Sequence, residues 1–362
     1  MFEQNYTLET SNYTIHIGDL ADGELDKMIK VNYAFANKIV LMDENVHELW
    51  GEYFQTTFSS LSKAEFITIP AGEENKSLEI CSQVWQSLTE YQITRNDVLI
   101  CVGGGVVTDM GGFIASLYKR GIDFIHVPTS LLGMVDASIG GKTAVDLANY
   151  KNIIGVFSNQ KAVFIDPKFL DTLPLIDRIG GWMEMAKHGL ISSKTHWEEL
   201  KNVHFKDFHL SGKLIVDSLT IKNNIVKIDP FEKDIRRSLN FGHTFGHAVE
   251  SYCLEGGETI NHGIAVGMGI IIESFWSWKK ELIEIEDLDE ICLTLSEKVG
   301  LPALPGVSAE DLWHYMLNDK KNEKGEVRAT LLKRIGTAVI DQVITFDLVE
   351  EGLKFYQEQL EL

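Results

Sequence analysis

Residues 97–112 read DVLICVGGGVVTDMGG. DVLICV is a short β-branched, apolar run, which reads as a strand. It runs directly into Gly103-Gly104-Gly105 and then into a helical pattern. Three glycines at the carboxyl end of a strand leave the backbone bare, so its N–H groups can approach a phosphate at the positive end of the following helix. The spacing is not the GxGxxG dinucleotide fingerprint, and a tight strand–helix turn without a ligand is the competing reading. Asp109 falls in the first turn or so of that helix, where a carboxylate can simply complement the dipole.

Further strand patterns lie on both sides of this segment. YTIHIG from Tyr13, KIVLMD from Lys38 and EFITIP from Glu65 precede it; DFIHVP from Asp123 and AVFID from Ala162 follow. Helical periodicity fills several gaps, as from Ser77 to Tyr91. Strand alternating with helix implies βαβ units and a mainly parallel sheet. After Leu173-Pro174 the texture changes to helix after helix, over Gly180–Ser192, Lys213–Lys227 and Phe241–Tyr252. The expectation is an α/β, Rossmann-like domain over residues 1–175 and an all-α domain over 176–362.

The chain has 362 residues, 44% of them hydrophobic, enough to bury a large core, and length alone suggests two domains or one large one. The formal net charge of −20 argues against nucleic acid or an anionic membrane as the main partner. Cys81, Cys101, Cys253 and Cys292 show no CxxC spacing and read as buried free thiols of a reducing compartment. The N-terminus lacks a basic region followed by an apolar one, and no apolar run reaches the ~18 residues of a membrane span. A cytoplasmic protein is expected.

Two more segments carry chemistry. PTSLLGMVDASIGGKTAVDLANYKN, residues 128–152, crowds hydroxyls, two aspartates, three glycines, two lysines and two asparagines into one stretch. Lys142 follows Gly140-Gly141 as a P-loop lysine would, but no glycine stands at the GxxxxGK[ST] spacing, which excludes a nucleoside triphosphatase of that type. SLNFGHTFGHAVE places His243 and His247 four apart, on one face of a helix. His262 lies in INHGIAVGMG, and Glu184 lies in GWMEMAKHGLI with Lys187 one turn on. Two histidines and a carboxylate make a catalytic zinc-type set; spacing alone leaves open which two histidines ligate.

In this order, GGGVVTDMGGFIAS, PTSLLGMVDASIGGKTAV, KNIIGVF, MEMAKHGLI, LNFGHTFGHAVE, HGIAVGMG and the Asp319-Lys320-Lys321 segment resemble the dehydroquinate synthases over nearly the whole chain. The resemblance implies a phosphate-eliminating lyase of aromatic amino-acid biosynthesis. It would convert 3-deoxy-D-arabino-heptulosonate 7-phosphate to 3-dehydroquinate by oxidation, phosphate elimination, re-reduction, ring opening and aldol closure. It implies Glu184, His243 and His262 as metal ligands, zinc first and cobalt second, with His247 facing substrate. It implies an NAD site from Asp43, Glu73, Lys76, Gly104, Gly105, Asp109, Thr129, Ser130, Leu132, Lys142, Lys151, Phe169, Thr172 and Leu173. The substrate carboxylate would fall to Lys222 and Arg236, and the phosphate to Lys142, Asn152, Asn240 and His247. Asp136 and Lys187 would touch the reacting hydroxyls. Lys320 or Lys321 would reach the substrate, and Arg120 would act across a homodimer interface.

Three departures from the family's pattern stand out: Thr108 where glycine is common, Trp182-Met183 for small residues, and Ile264 for a glutamate. The last removes an outer-shell partner expected near the metal. The rivals are other sugar-phosphate cyclases, such as 2-deoxy-scyllo-inosose synthase, a metal-dependent polyol dehydrogenase, and a non-catalytic binding protein. A paired Lys222 and Arg236 favours a carboxylated substrate over the first of these.

Overall fold

The computed structural model describes all residues except 1–4, 148–149, 206–209, 211, 301, 305, 318–325 and 360–362, and the side chain of residue 150. The chain forms two compact units, Met1–Pro174 and Leu175–Leu362.

The first unit contains β1 (Tyr6–Glu9), β2 (Thr14–Ile17), α1 (Glu24–Asn32), β3 (Lys38–Asp43), α2 (Glu44–Thr57), β4 (Glu65–Ile69), α3 (Leu78–Glu90), β5 (Val98–Gly103), α4 (Gly105–Leu117), β6 (Asp123–Pro128), β7 (Lys142–Leu147), β8 (Tyr150–Phe157) and β9 (Ala162–Ile165). Seven strands make one sheet in the order β1-β2-β9-β6-β5-β3-β4. All its neighbours pair in parallel except β1 with β2. All six strands read from the sequence are present. β5 is buried at every residue, which suits an apolar strand covered on both faces. Leu99 and Cys101 of β5 share a core with Val107, Met110 and Ile114 of α4 and with Val84 and Leu88 of α3.

The order has a mechanical consequence. From β3 the chain moves outward to β4 on one side; from β5 it moves outward to β6 on the other. β3 and β5 are therefore adjacent strands whose connections diverge, a switch point of the kind that leaves a crevice at the carboxyl ends of an α/β sheet. β7 and β8 pair with each other as a separate antiparallel hairpin. Neither strand is among the strand patterns read from the sequence.

The second unit contains α5 (Leu175–Ser192), α6 (Lys194–Lys201), α7 (Gly212–Ile228), α8 (His243–Glu255), α9 (His262–Lys279), α10 (Ile285–Val299), α11 (Ala309–Leu317), β10 (Val327–Arg334), β11 (Thr337–Ile344) and α12 (Phe346–Gln359). It is helical, as expected, with one addition: β10 and β11 form an antiparallel hairpin. Its turn is Ile335-Gly336, with Gly336 at φ +87°, a conformation that costs glycine little. α9 is the centre of the unit, with Gly263 to Ser277 all buried. All four cysteines are free thiols, Cys253 half-buried and the others buried. No helix among the described residues is long and apolar enough to cross a membrane.

Candidate active site

In the first unit, the residues assigned to a cofactor cluster after the carboxyl ends of the parallel strands. Asp43 ends β3, Glu73 and Lys76 follow β4, Gly104 and Gly105 follow β5, Thr129, Ser130 and Leu132 follow β6, and Phe169, Thr172 and Leu173 follow β9. Gly104 caps α4 without any side-chain hydrogen bond, so the cap itself does not use the first N–H groups of α4. A Cβ on Gly104 would stand 3.3 Å from Ser130 Oγ, and one on Gly105 3.4 Å from the Ala137 side chain, so bulk at either would crowd this turn. Ser130 Oγ accepts from Gly133 N at 3.1 Å, and Thr129 N donates to Gly103 O at 2.9 Å, which ties the two loops together. Thr108, one of the departures, turns its hydroxyl back onto Gly105 O at 3.1 Å. Asp136 lies in the π-helical turn Gly133–Ala137.

Lys76 is the electrostatic hub of this region. Its buried Nζ donates to Asp109 Oδ2 at 2.8 Å and to Asn152 Oδ1 at 2.7 Å. Burial alone would push the ammonium down; Asp109, Glu73 and Asp146 outweigh it and hold it above the ordinary lysine range. Asp109 therefore sits in the second turn of α4 as an ion-pair partner, which corrects the dipole reading. Lys151 Nζ lies 3.7 Å from Glu73 Oε1, and Asn152 N donates to Asp146 Oδ1 at 2.6 Å. Lys142 opens β7 and is exposed. Asp43 accepts from Val46 N at 2.9 Å as the N-cap of α2, and burial raises its carboxyl. Phe169 is core: its ring packs edge-on against Trp50 at 4.9 Å, and Trp50 Nε1 donates to Thr172 Oγ1 at 3.1 Å. Leu173 closes that turn through its N–H to Leu170 O. Arg120 is exposed beside Lys119, both left-handed at φ +66° and +50°, and Arg95 Nε holds Lys119 O at 2.7 Å.

In the second unit, close helix crossings assemble the metal set. A Cβ on Gly263 would come within 2.2 Å of Gly180 Cα, so α9 and α5 touch backbone to backbone there. That crossing sets His262, next to Gly263, beside Glu184, one turn along from Gly180. A Cβ on Gly269 would fall 1.8 Å from Gly242 O, which brings the start of α8, and His243 with it, onto α9. His243 Nε2 and His262 Nε2 lie 3.6 and 3.5 Å from the same oxygen, Glu184 Oε1. Ligand atoms on a tetrahedral zinc with bonds of ~2.0–2.1 Å stand roughly 3.4 Å apart. His247 is next to this set, its ring 5.1 Å from that of His243.

The polar partners prepare those atoms. His243 Nδ1 donates to Phe241 O at 3.1 Å. His262 Nδ1 faces Glu250 at 3.1 Å. In a neutral ring each contact keeps the proton on Nδ1 and turns Nε2 to a cation. Burial would lower His262, but Glu250 and Glu184 outweigh it and raise it to about 10, so with no cation bound the ring holds a second proton, whose place a metal would take. Glu184 is fully buried and paired with Lys187. Its Oε1 accepts no hydrogen bond from a described residue. A buried carboxylate oxygen in that state, with two imidazole Nε2 atoms facing it, suits a divalent cation.

Glu250 was not anticipated, although it follows His243 by seven residues and shares its helix face. It supplies the outer shell that the loss at Ile264 had put in question; Ile264 itself is buried and apolar. Also missed was Glu273, fully buried on α9, which accepts from Gly242, Thr244 and Phe245 N at 2.6, 2.9 and 3.2 Å and so caps α8. Its signal was a lone carboxylate in the apolar run GIIIESFW. Trp182 is buried, and Met183 fits because Gly267 leaves its thioether room.

Lys222 and Arg236 are buried cations of this unit, 5% and 2% exposed. Arg236 is aimed by its Nη1 on Pro230 O at 2.6 Å and its N–H on Asp229 Oδ2 at 3.2 Å. Asn240 Nδ2 donates to Glu232 Oε1 at 2.9 Å. Lys142 and Asn152 belong to the first unit, Asn240 and His247 to the second. Lys320 and Lys321 lie outside the described residues.

Residues 66–178 match the family model of the 3-dehydroquinate synthase N-terminal region and 181–322 that of its C-terminal region. A 3-dehydroquinate synthase from Parabacteroides distasonis is 37% identical over 321 residues, covering 88% of this chain and 91% of its own. Among solved structures, 2-epi-5-epi-valiolone synthase from Streptomyces hygroscopicus subsp. jinggangensis, with NAD+ and Zn2+ bound, superposes with a TM-score of 0.85 at 24% identity, covering 98% of this chain and 99% of that one. A 2-deoxy-scyllo-inosose synthase complexed with carbaglucose-6-phosphate, NAD+ and Co2+ gives 0.85 at 23% identity, over 97% and 100%. These two likenesses establish the fold; the family models and the curated relative go further, and the chain belongs to the 3-dehydroquinate synthase family.

Proposed function

We propose that this chain is a phosphate-eliminating cyclase that converts 3-deoxy-D-arabino-heptulosonate 7-phosphate to 3-dehydroquinate, using NAD and a divalent metal. The observation that carries the reading is the convergence of Glu184, His243 and His262 on one point beside the buried Lys187. Those three residues would hold zinc, with cobalt as the second choice. A metal bound there supplies Lewis-acid polarisation of substrate oxygens, and NAD supplies reversible hydride transfer.

The chain's own residues do the rest. Gly104, Gly105 and the uncapped start of α4 take the pyrophosphate; Asp43, Glu73, Lys76, Asp109, Thr129, Ser130, Leu132, Lys142, Lys151, Thr172 and Leu173 line the cofactor, with Phe169 as the wall behind. Lys187 Nζ and Asp136 hold and pass the proton of the reacting hydroxyl. Lys222 and Arg236 grip the carboxylate. Arg236 is already fixed by Asp229 and Pro230, so little orientation is lost on binding. Lys142, Asn152, Asn240 and His247 hold the phosphate, with Lys320 or Lys321 reaching in. Holding the leaving group in line is positioning more than acid–base work. Arg120 completes the site across a homodimer interface, and the location is cytoplasmic.

The heptulosonate phosphate is supplied with catalytic NAD+ and zinc, and phosphate release is followed. Release with no net NADH is the expected result. Absence of release would sink the reading, and NADH accumulating in step with substrate would make the chain a dehydrogenase instead.

A further inference from the structure

A second polar cluster joins α6 to α7. His196 and Glu199 stand three apart on α6 and so share a face, and Asp217 reaches them from α7. One ring nitrogen of His196 and one oxygen from each carboxylate lie within 4.8 Å of one another. His196 is only 3% exposed, and neither of its ring nitrogens makes a hydrogen bond to a described residue. A neutral imidazole carries one donor and one acceptor, and a buried group that uses neither calls for an explanation. Burial pushes His196 down to about 4, so its lone pair is present at neutral pH.

Lys213 already occupies part of this site. Its Nζ bridges Glu199 Oε2 at 2.9 Å and Asp217 Oδ2 at 2.7 Å. It satisfies the two carboxylates and leaves His196 unserved. Its side chain is 60% exposed, so it can leave for water at small cost. A single ion with an imidazole nitrogen and two carboxylate oxygens would satisfy all three groups. That mixed donor set suits zinc or a similar transition ion and not the all-oxygen cages of calcium or magnesium.

We propose that His196, Glu199 and Asp217 form a second divalent transition-metal site, separate from the Glu184 set, with Lys213 as a resident cation that swings out when metal enters. Such an ion would clip α6 to α7. The inference does not rest on the proposed activity.

The test uses the full chain, stripped by chelation and titrated with Zn2+ alone, with bound metal read by calorimetry and elemental analysis. The wild type is expected to take up two equivalents. Glu184→Ala should keep the second and lose the first. His196→Gln, Asp217→Asn and Glu199→Gln should keep the first and lose the second, with turnover unchanged. The two carboxylates are half-exposed, so their variants keep the fold if His196→Gln does not. Lys213→Met should tighten the second site about tenfold, since a competing charge is gone. A single equivalent in the wild type that Glu184→Ala abolishes overturns the proposal, as does a second equivalent that survives in both Asp217→Asn and Glu199→Gln. A wild type that binds only at the His196 set would instead count against the Glu184 reading and leave this one standing.

Discussion

Glu250 ligates nothing itself in the proposed centre, yet it decides which nitrogen of His262 can bind a metal. Its carboxylate faces Nδ1 at 3.1 Å, so Nε2 is the atom presented to Glu184. Glu250→Gln keeps the shape and removes the charge. It should weaken zinc affinity by roughly 10–100-fold, measured by competition with a chromogenic chelator; unchanged affinity would make the contact incidental. Glu184→Ala and His243→Ala should lose metal and turnover together, and normal zinc content in either would show the ligands are misassigned. A different residue, like His196, contributes to acid stability. His126 is buried in the first unit near Ser138 O, and burial pushes its pKa down to about 4 from 6.5. The unfolded chain therefore binds one more proton than the folded one between those values. Stability should fall as pH drops through that window, by about 1.4 kcal/mol per pH unit for this group. His126→Gln should flatten the slope of unfolding free energy against pH by that amount, read by urea titration across the range. An unaltered slope would mean that other groups carry it.

At the scale of elements, the metal set depends on how closely three helices approach. Glycine at 180, 263 and 269 removes the side chains that would hold α5, α8 and α9 apart. Gly269→Ala would place a methyl group 1.8 Å from Gly242 O, and backbone cannot yield as a side chain can. It should cost about 3 kcal/mol or more in unfolding free energy, and any folded remainder should bind zinc weakly because His243 is displaced. A folded variant with normal zinc affinity would show that the crossing has slack. Glu273 works on the same helix pair. Three N–H groups at the start of α8 converge on it, so it fixes the register in which α8 presents His243 and His247. Elsewhere, the β7–β8 hairpin and β10–β11 show how strands escape a reading by periodicity. β8 carries exposed Ile153 and Phe157 at the two ends of its apolar run IIGVF, and β11 is only half-buried, so neither shows clean alternation.

For the whole molecule, a net charge of −20 and a set of buried cations have to coexist. They do so because Lys76, Lys187, Lys222 and Arg236 are taken out of solvent while most carboxylates stay on the surface. Removal of metal from the intact protein by chelation should abolish phosphate release. Zinc or cobalt should restore it, and NAD+ should not be consumed in either state. Activity that survives complete chelation would remove the metal from the reaction.

Local signals were enough for the class of each half. An apolar run ending in glycines specifies β5 and its turn because both are properties of consecutive residues. The same holds for the helical periodicity after Pro174, and for the ordered motifs that placed the chain in its family. The histidine spacing put His243 and His247 on one face, but it could not tell which of them faces Glu184. That choice depends on where α5 and α9 cross α8, at contacts between residues as far apart as 180 and 263. The outer partners follow the same rule. Glu250 reaches His262, Glu273 reaches α8 and Asp109 reaches Lys76 only once separate elements have packed. A residue's chemistry is written in its side chain, while its partner is set by the long-range packing of backbone that a linear pattern does not contain.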